Sequence, residues 1–274
     1  MMIVAPIKKT INFLAKNPKI IAFGAIIAFL QLILSVFVNQ SKLNIISRLA
    51  EKKLFSSNLV GLAGFTLSSF WLDIILILIG IFAISWIGVF SVFVITKSTK
   101  EQSFRQENIA LTLKRHQKIT LISIFLLLIS VLGVGFIFLL RILIDLLPII
   151  IAVPILLLFF VCLAYIGTVF IHFQQIIEIE NISIKEALKK DFQFSSKRLL
   201  ETFIVGFIII LISLVLGLIQ NIFYSFFWVD LVKVNFAETS LVGNIIHFIP
   251  MAIIMGLSIS ISTTLIALHY LENK

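Results

Sequence analysis

Four histidines, one cysteine and a short run of hydroxyl residues are the side chains of this chain best suited to chemistry. His116, His172, His247 and His269 lie far apart in sequence. They form no local metal-binding pattern, and the H-E-x-x-H signature of zinc proteases is missing. Cys162 is the only cysteine and sits in an apolar run, so neither an intrachain disulfide nor a thiolate cluster is available. Gly256 and Ser258 begin a G-x-S-x-G nucleophile turn, but Ser260 replaces the second glycine. Ser258, Ser260, Ser262, Thr263 and Thr264 therefore read as small polar residues that bond a helix backbone. No glycine-rich phosphate loop is visible, and catalytic, metal and cofactor sites are all expected to be absent.

Charge, by contrast, is strongly patterned. The net charge is +9, yet only 13% of the 274 residues are charged and 60% are apolar, with 27 Phe. The mean hydropathy is +1.17. A soluble domain exposes far more polar surface than this composition supplies. The basic residues lie beside apolar runs, which points to the bilayer and its anionic headgroups as partner and away from nucleic acid.

Those runs set the fold class. Six of them, residues 20–38, 70–95, 119–140, 146–173, 199–228 and 242–270, approach or exceed the roughly 20 residues that cross a bilayer core. They are continuously apolar, whereas barrel strands alternate over about 10 residues. The expectation is an all-α polytopic bundle of six transmembrane helices forming one domain over 1–274. The first run follows Lys8, Lys9, Lys16 and Lys19 and ends without a small-x-small cleavage pattern, so it reads as a retained span. Of the 22 Lys and Arg residues, sixteen fall in the N-terminal segment, 97–118, 185–198 and at Lys274. The remaining six are Lys42, Arg48, Lys52, Lys53, Arg141 and Lys233. The positive-inside rule then places both termini in the cytoplasm, with the plasma membrane as the expected location.

The cytoplasmic gaps share a plan: a polar, amphipathic foot followed by two spans. Three such units are expected, 1–95, 96–173 and 174–274. In the first foot Ile7, Ile11 and Leu14 fall on one helical face. In the third, Ser183 and Glu186 have capping-box spacing, and Ile184, Leu188 and Phe192 follow on one face. Asp191 interrupts that face, which suggests a turn there. Ser103 and Gln106 repeat the capping spacing in the middle foot. Residues 41–55 read as a short surface helix and 58–69 as an ordered loop. Glycines 80, 88, 133, 135, 206 and 217 are the expected close-approach points, and Pro148, Pro154 and Pro250 the expected kinks.

Within the spans ionisable groups are few, which counts against ion-coupled transport. Function is therefore sought at the cytoplasmic edge. Lys185, Lys189, Lys190, Lys197 and Arg198 are the expected contacts for lipid headgroups or a membrane-protein partner. The same segments would also serve merely to anchor helix ends. The segment IKEALKK from Ile184 to Lys190, the polar turn from Ser195 to Arg198 and the long span after it resemble six-span prokaryotic membrane proteins. These are related to the membrane domain of glycerophosphodiester phosphodiesterases. The resemblance implies membrane insertion and a role near lipid metabolism or transport. The soluble phosphodiesterase barrel of that family is absent, so no hydrolase activity is implied. The expectation is a non-enzymatic scaffold or accessory subunit, with a permease-like or lipid-translocating protein as the alternative.

Overall fold

The computed structural model describes residues 4–51, 59–146, 149–231 and 241–274. Lys52, Lys53, Pro148 and Lys233 lie outside the described residues. The chain opens with the short α1 (Val4–Lys16), then the long α2 (Pro18–Glu51) and α3 (Leu59–Lys100). Next come the short α4 (Gln106–Leu113) and the long α5 (His116–Leu146) and α6 (Ile149–Val169). Two short helices, α7 (Phe173–Glu180) and α8 (Ile184–Lys197), precede the long α9 (Leu199–Leu231) and α10 (Leu241–Asn273). Foot, span, span thus recurs three times, the third foot being double. No strand occurs among the described residues. Six of the helices are long and apolar enough to cross a membrane. In hydrocarbon the backbone has no water to bond, so continuous apolar runs satisfy it internally as helices.

Two of the links are single residues. Asn17 separates α1 from α2, and Pro18 opens α2 at a position where a missing N–H costs nothing. Asn17 also receives the Phe104 N–H on its Oδ1 at 3.3 Å, tying this link to the turn after α3. Arg198 alone separates α8 from α9.

The core is concentrated at the end of the bundle that carries the short helices. Ile20 of α2, Phe93 of α3, Ile119 of α5, Ile176 of α7 and Tyr270 of α10 are fully buried there with Phe13 of α1 close by. Toward the other end α5, α6 and α9 turn Leu132, Leu158 and Leu218 outward, as a lipid-facing surface requires. The Lys9–Glu272 ion pair at 2.8 Å joins the first foot to the last span. Both chain ends and both inner gaps therefore meet at one end, as an even number of crossings demands.

Within the spans, α2 and α10 make the closest approach. A Cβ on Gly24 would lie 2.6 Å from the Gly256 carbonyl oxygen, and one on Gly256 only 2.2 Å from the Ala25 nitrogen. Ser260 adds a hydroxyl bond to the Ile20 carbonyl at 3.2 Å, and Gln31 donates to the Ile84 carbonyl of α3 at 3.2 Å. Two glycines expected to pack do not: Gly133 and Gly217 have no atom within 4 Å of an added Cβ. A Cβ added at Gly80, by contrast, would run into the Val38 side chain.

Other expectations about local structure change as well. Residues 41–51 continue α2 without a break, and α3 already begins at Leu59, so neither the separate surface helix nor the loop is present in the described residues. Residues 41–51 contain neither proline nor glycine and 59–69 no proline, so nothing local stops either helix beyond its bilayer-length run. In α1 the buried face is Thr10, Phe13 and Leu14, while Ile11 is exposed. An interfacial helix has two apolar contacts to satisfy, protein on one side and lipid on the other, so the most apolar stripe need not face the protein. Ser103 does not cap α4, which starts behind Arg105 with no side-chain cap. The Ser183–Glu186 capping box does form. The N–H and hydroxyl of Ser183 hold the Glu186 carboxyl below its ordinary range.

The packing of α2 on α10 makes a stability prediction. Gly256→Ala should lower stability by about 1–3 kcal/mol through overpacking, whereas Gly217→Ala should cause no loss. Thermal unfolding of both purified variants in the same detergent checks this, and equal midpoints would disprove the close approach.

Candidate functional site: a buried Asp–His–His chain beside an amphipathic groove

After α6 the chain makes a tight turn through Phe170 and Ile171, and His172 stands at the N-cap of α7. Its own side chain does not cap the helix. The cap is provided from outside: the His172 N–H donates to Oδ2 of Asp191 on α8 at 3.0 Å. The other carboxylate oxygen lies 3.2 Å from His172 Nδ1 and receives the Ser195 hydroxyl at 3.0 Å. Asp191, His172 and Ser195 are completely buried. Among the described residues no Lys or Arg pairs with Asp191, and its one basic neighbour is His172. A buried carboxylate needs such donors, because each unmade bond leaves a desolvated lone pair.

The chain of contacts continues across the bundle. His172 Nε2 lies 2.9 Å from Nδ1 of His269 on α10. The rings stack with centroids 5.1 Å apart, and Phe194 of α8 packs edge-on against both. Donor roles can be assigned outward from the carboxylate. Asp191 only accepts, so a neutral His172 carries its proton on Nδ1 and accepts at Nε2. His269 then donates from Nδ1 and presents a lone pair at Nε2. That atom is buried and has no partner.

Basic residues lock the surrounding helix ends. Arg115 of α4–α5 pairs with the buried Glu178 at 2.8 Å, and Lys100 donates to the Ile179 carbonyl at 2.7 Å. Asn181 ends α7 in the left-handed conformation, φ 56°, and its side chain accepts from Lys118 at 2.6 Å. Cations at the last turn satisfy open carbonyls and the negative end of the dipole. Glu180 accepts from the Tyr270 hydroxyl at 2.5 Å and pairs with Lys190.

His269 is also a wall of a groove of about 630 Å³ between α1, the α8–α9 junction and α10. At its polar end are Lys197, Arg198, Glu201, Glu272 and Asn273, and along its length Leu200, Ile204, Ile208 and Leu265. Arg198 donates from Nη1 to Glu201 at 3.1 Å and to Asn273 at 2.7 Å. Asn273 in turn donates to the His269 carbonyl at 2.9 Å, so Arg198 and His269 are held in one unit. A second groove, about 490 Å³, runs between α6 and α9 and is lined almost wholly by apolar residues such as Phe203 and Phe207.

The five basic residues expected to act together divide into three roles. Lys185 and Lys189 are exposed on α8. Lys190 is held by Glu180. Lys197 and Arg198 line the groove. The expected apolar face of α8 is not the buried one: Ala187, Asp191 and Ser195 are buried, while Phe192 is 48% exposed. Nor does α8 turn at Asp191; it runs on to Lys197. The physical reason is the three donors that meet the carboxylate, which make the small polar stripe the one that can be enclosed.

The spacing of the four histidines offers no local metal pattern, and 97 residues separate His172 from His269; folding brings these two together. The one local signal was Ala187, Asp191 and Ser195 at i, i+4 and i+8, a stripe small enough to pack closely. No group of three or more His, Cys, Asp or Glu among the described residues is placed to hold a metal ion.

Fold and site together define an all-α polytopic bundle with a polar site at its helix-rich end. Comparison with protein-family models, curated proteins and solved structures gives no match. The meaning of the site therefore rests on its geometry.

Removing the carboxylate should be costly. Asp191→Ala strands three donors and should lose about 3 kcal/mol of stability, against about 1 kcal/mol for Ser195→Ala. Thermal unfolding in detergent measures both; equal losses would mean that Asp191 does not organise the chain.

Proposed function

We propose that this protein is a non-enzymatic membrane scaffold or accessory subunit that engages anionic lipid headgroups at the face formed by its feet and both chain ends. By the distribution of Lys and Arg that face is cytoplasmic, and the expected membrane is the plasma membrane. The observation behind this reading is the presentation of α8. The helix buries a small polar stripe and leaves Lys185, Lys189 and Lys197 exposed, without a hydrogen bond or ion pair among the described residues. Cations left unpaired beside spans are suited to headgroup phosphates, each contributing on the order of 1 kcal/mol near an anionic surface. The likeness of residues 184–198 to the phosphodiesterase-associated membrane domain agrees with a role near lipids.

Replacing Lys185, Lys189 and Lys197 with Gln tests the proposal in nanodiscs of mixed zwitterionic and anionic lipid. Native mass spectrometry of the released protein should show weaker retention of the anionic lipid, by about fivefold per removed charge. Unchanged retention would leave these lysines with a topological role only.

A further inference from the structure

All three feet invert the pattern of a soluble helix in the same way. Thr10 of α1, Thr112 of α4 and Asp191 of α8 are buried, and the residue directly after each is a large apolar one turned outward. Those residues, Ile11, Leu113 and Phe192, are 59%, 46% and 48% exposed. A single exposed apolar side chain is ordinary, but a polar residue inside and an apolar one outside, repeated in three separate helices, calls for a cause.

The surroundings of these three side chains are also alike. With about 100° of rotation per residue, each foot divides into three sectors that follow in one rotational order. The first faces the protein, with Thr10 and Leu14 on α1, Asn108 and Thr112 on α4, and Ala187 and Asp191 on α8. The second is an apolar edge that passes over one turn from half-buried to exposed: Ile7 to Ile11, Ile109 to Leu113, and Leu188 to Phe192. Ile109 and Leu188 lean on the core. The third sector is exposed and mostly polar, with Lys8 and Asn12, Gln106 and Ala110, and Lys189 and Gln193. Leu111 of α4 is exposed outside this order.

Two observations say what covers the apolar edges. Lys8, Lys114, Lys185 and Lys189 lie beside them, exposed and without a hydrogen bond or ion pair among the described residues. Cations along an apolar stripe match an anionic leaflet, the stems lying at the margin of the hydrocarbon and the ammonium groups at the phosphates. A second copy of the chain would instead set these lysines against an equally basic surface. Exposed apolar residues also resume on the span that each foot leads into, at Ile26 of α2, Leu121 of α5 and Leu200 of α9. All three lie within lengths apolar enough to cross a membrane, so each foot leads into a surface that lipid covers.

We infer that the three feet form a collar inserted into the leaflet on the side of both chain ends. Ile11, Leu113 and Phe192 enter its acyl region, and Lys8, Lys114, Lys185 and Lys189 stand at its headgroups. The collar rests on the lipid-engaging reading above and deepens it from charged side chains at a surface to three apolar edges at a common depth.

The test uses the full chain with Cys162→Ala, because that exposed thiol is the only cysteine. Single cysteines at six exposed positions carry a spin label, in nanodiscs of phosphatidylcholine and phosphatidylglycerol. Collisions with oxygen, which concentrates in hydrocarbon, and with a nickel chelate, which stays in water, give the depth of each label. Labels at Ile11→Cys, Leu113→Cys and Phe192→Cys should lie about 5–10 Å below the phosphates. Labels at Asn12→Cys, Ala110→Cys and Gln193→Cys, which leave every lysine in place, should lie at or above the phosphates. Equal access of the nickel chelate to both sets would overturn the collar. Shielding of the first set from oxygen and nickel alike would also overturn it, since a second copy would then cover the edges.

The same labels in phosphatidylcholine alone separate this inference from the headgroup reading. Acyl contact needs no anionic lipid, so the depths should persist there. Depths kept while the lysine variants retain anionic lipid unchanged would support the collar and sink the headgroup reading. Depths lost while retention still depends on those lysines would sink the collar alone.

Discussion

The enclosed carboxylate of Asp191 is the constraint around which the helix-rich end of the bundle is arranged. A carboxylate with no exposed surface must find donors or lose its charge. Here the donors come from three places: a backbone N–H at the start of α7, an imidazole from the same residue, and a hydroxyl one turn along α8. Satisfying Asp191 therefore fixes where α7 begins and which face of α8 turns inward. It also fixes the ring of His172 so that its far nitrogen meets α10. One side chain thus caps one helix, orients a second and joins a third.

The bilayer explains why this arrangement sits at one end. Lipid tails are as apolar as Leu, so burying Leu against Leu gives little net driving force within the hydrocarbon. There the spans rely on close backbone approach, as at Gly24 and Gly256, and on isolated polar bonds such as Ser260 to the Ile20 carbonyl. Near the headgroups water returns, and with it both the hydrophobic effect and the means to satisfy charge. The core around Phe93, Ile176 and Tyr270 and the ion pairs of Glu178 and Glu180 collect at that level. The short helices are the elements that make the collection possible. They lie where the spans end and fill the space between them.

How much of this could be read from the chain follows from the same physics. Long apolar runs leave the backbone one solution, so the six spans and the common end of both termini were legible. The Ser183–Glu186 box was legible too, because a cap is local. Helix faces were not. For a soluble helix the most apolar stripe marks the interior, but for α1 and α8 lipid competes for that stripe. Ile11 and Phe192 lie exposed while Thr10 and Asp191 are enclosed. Glycines suffered similarly: Gly217 and Gly256 look alike in sequence, and only the crossing of α2 with α10 distinguishes them. The histidine pair depended on a long-range contact that no spacing rule encodes.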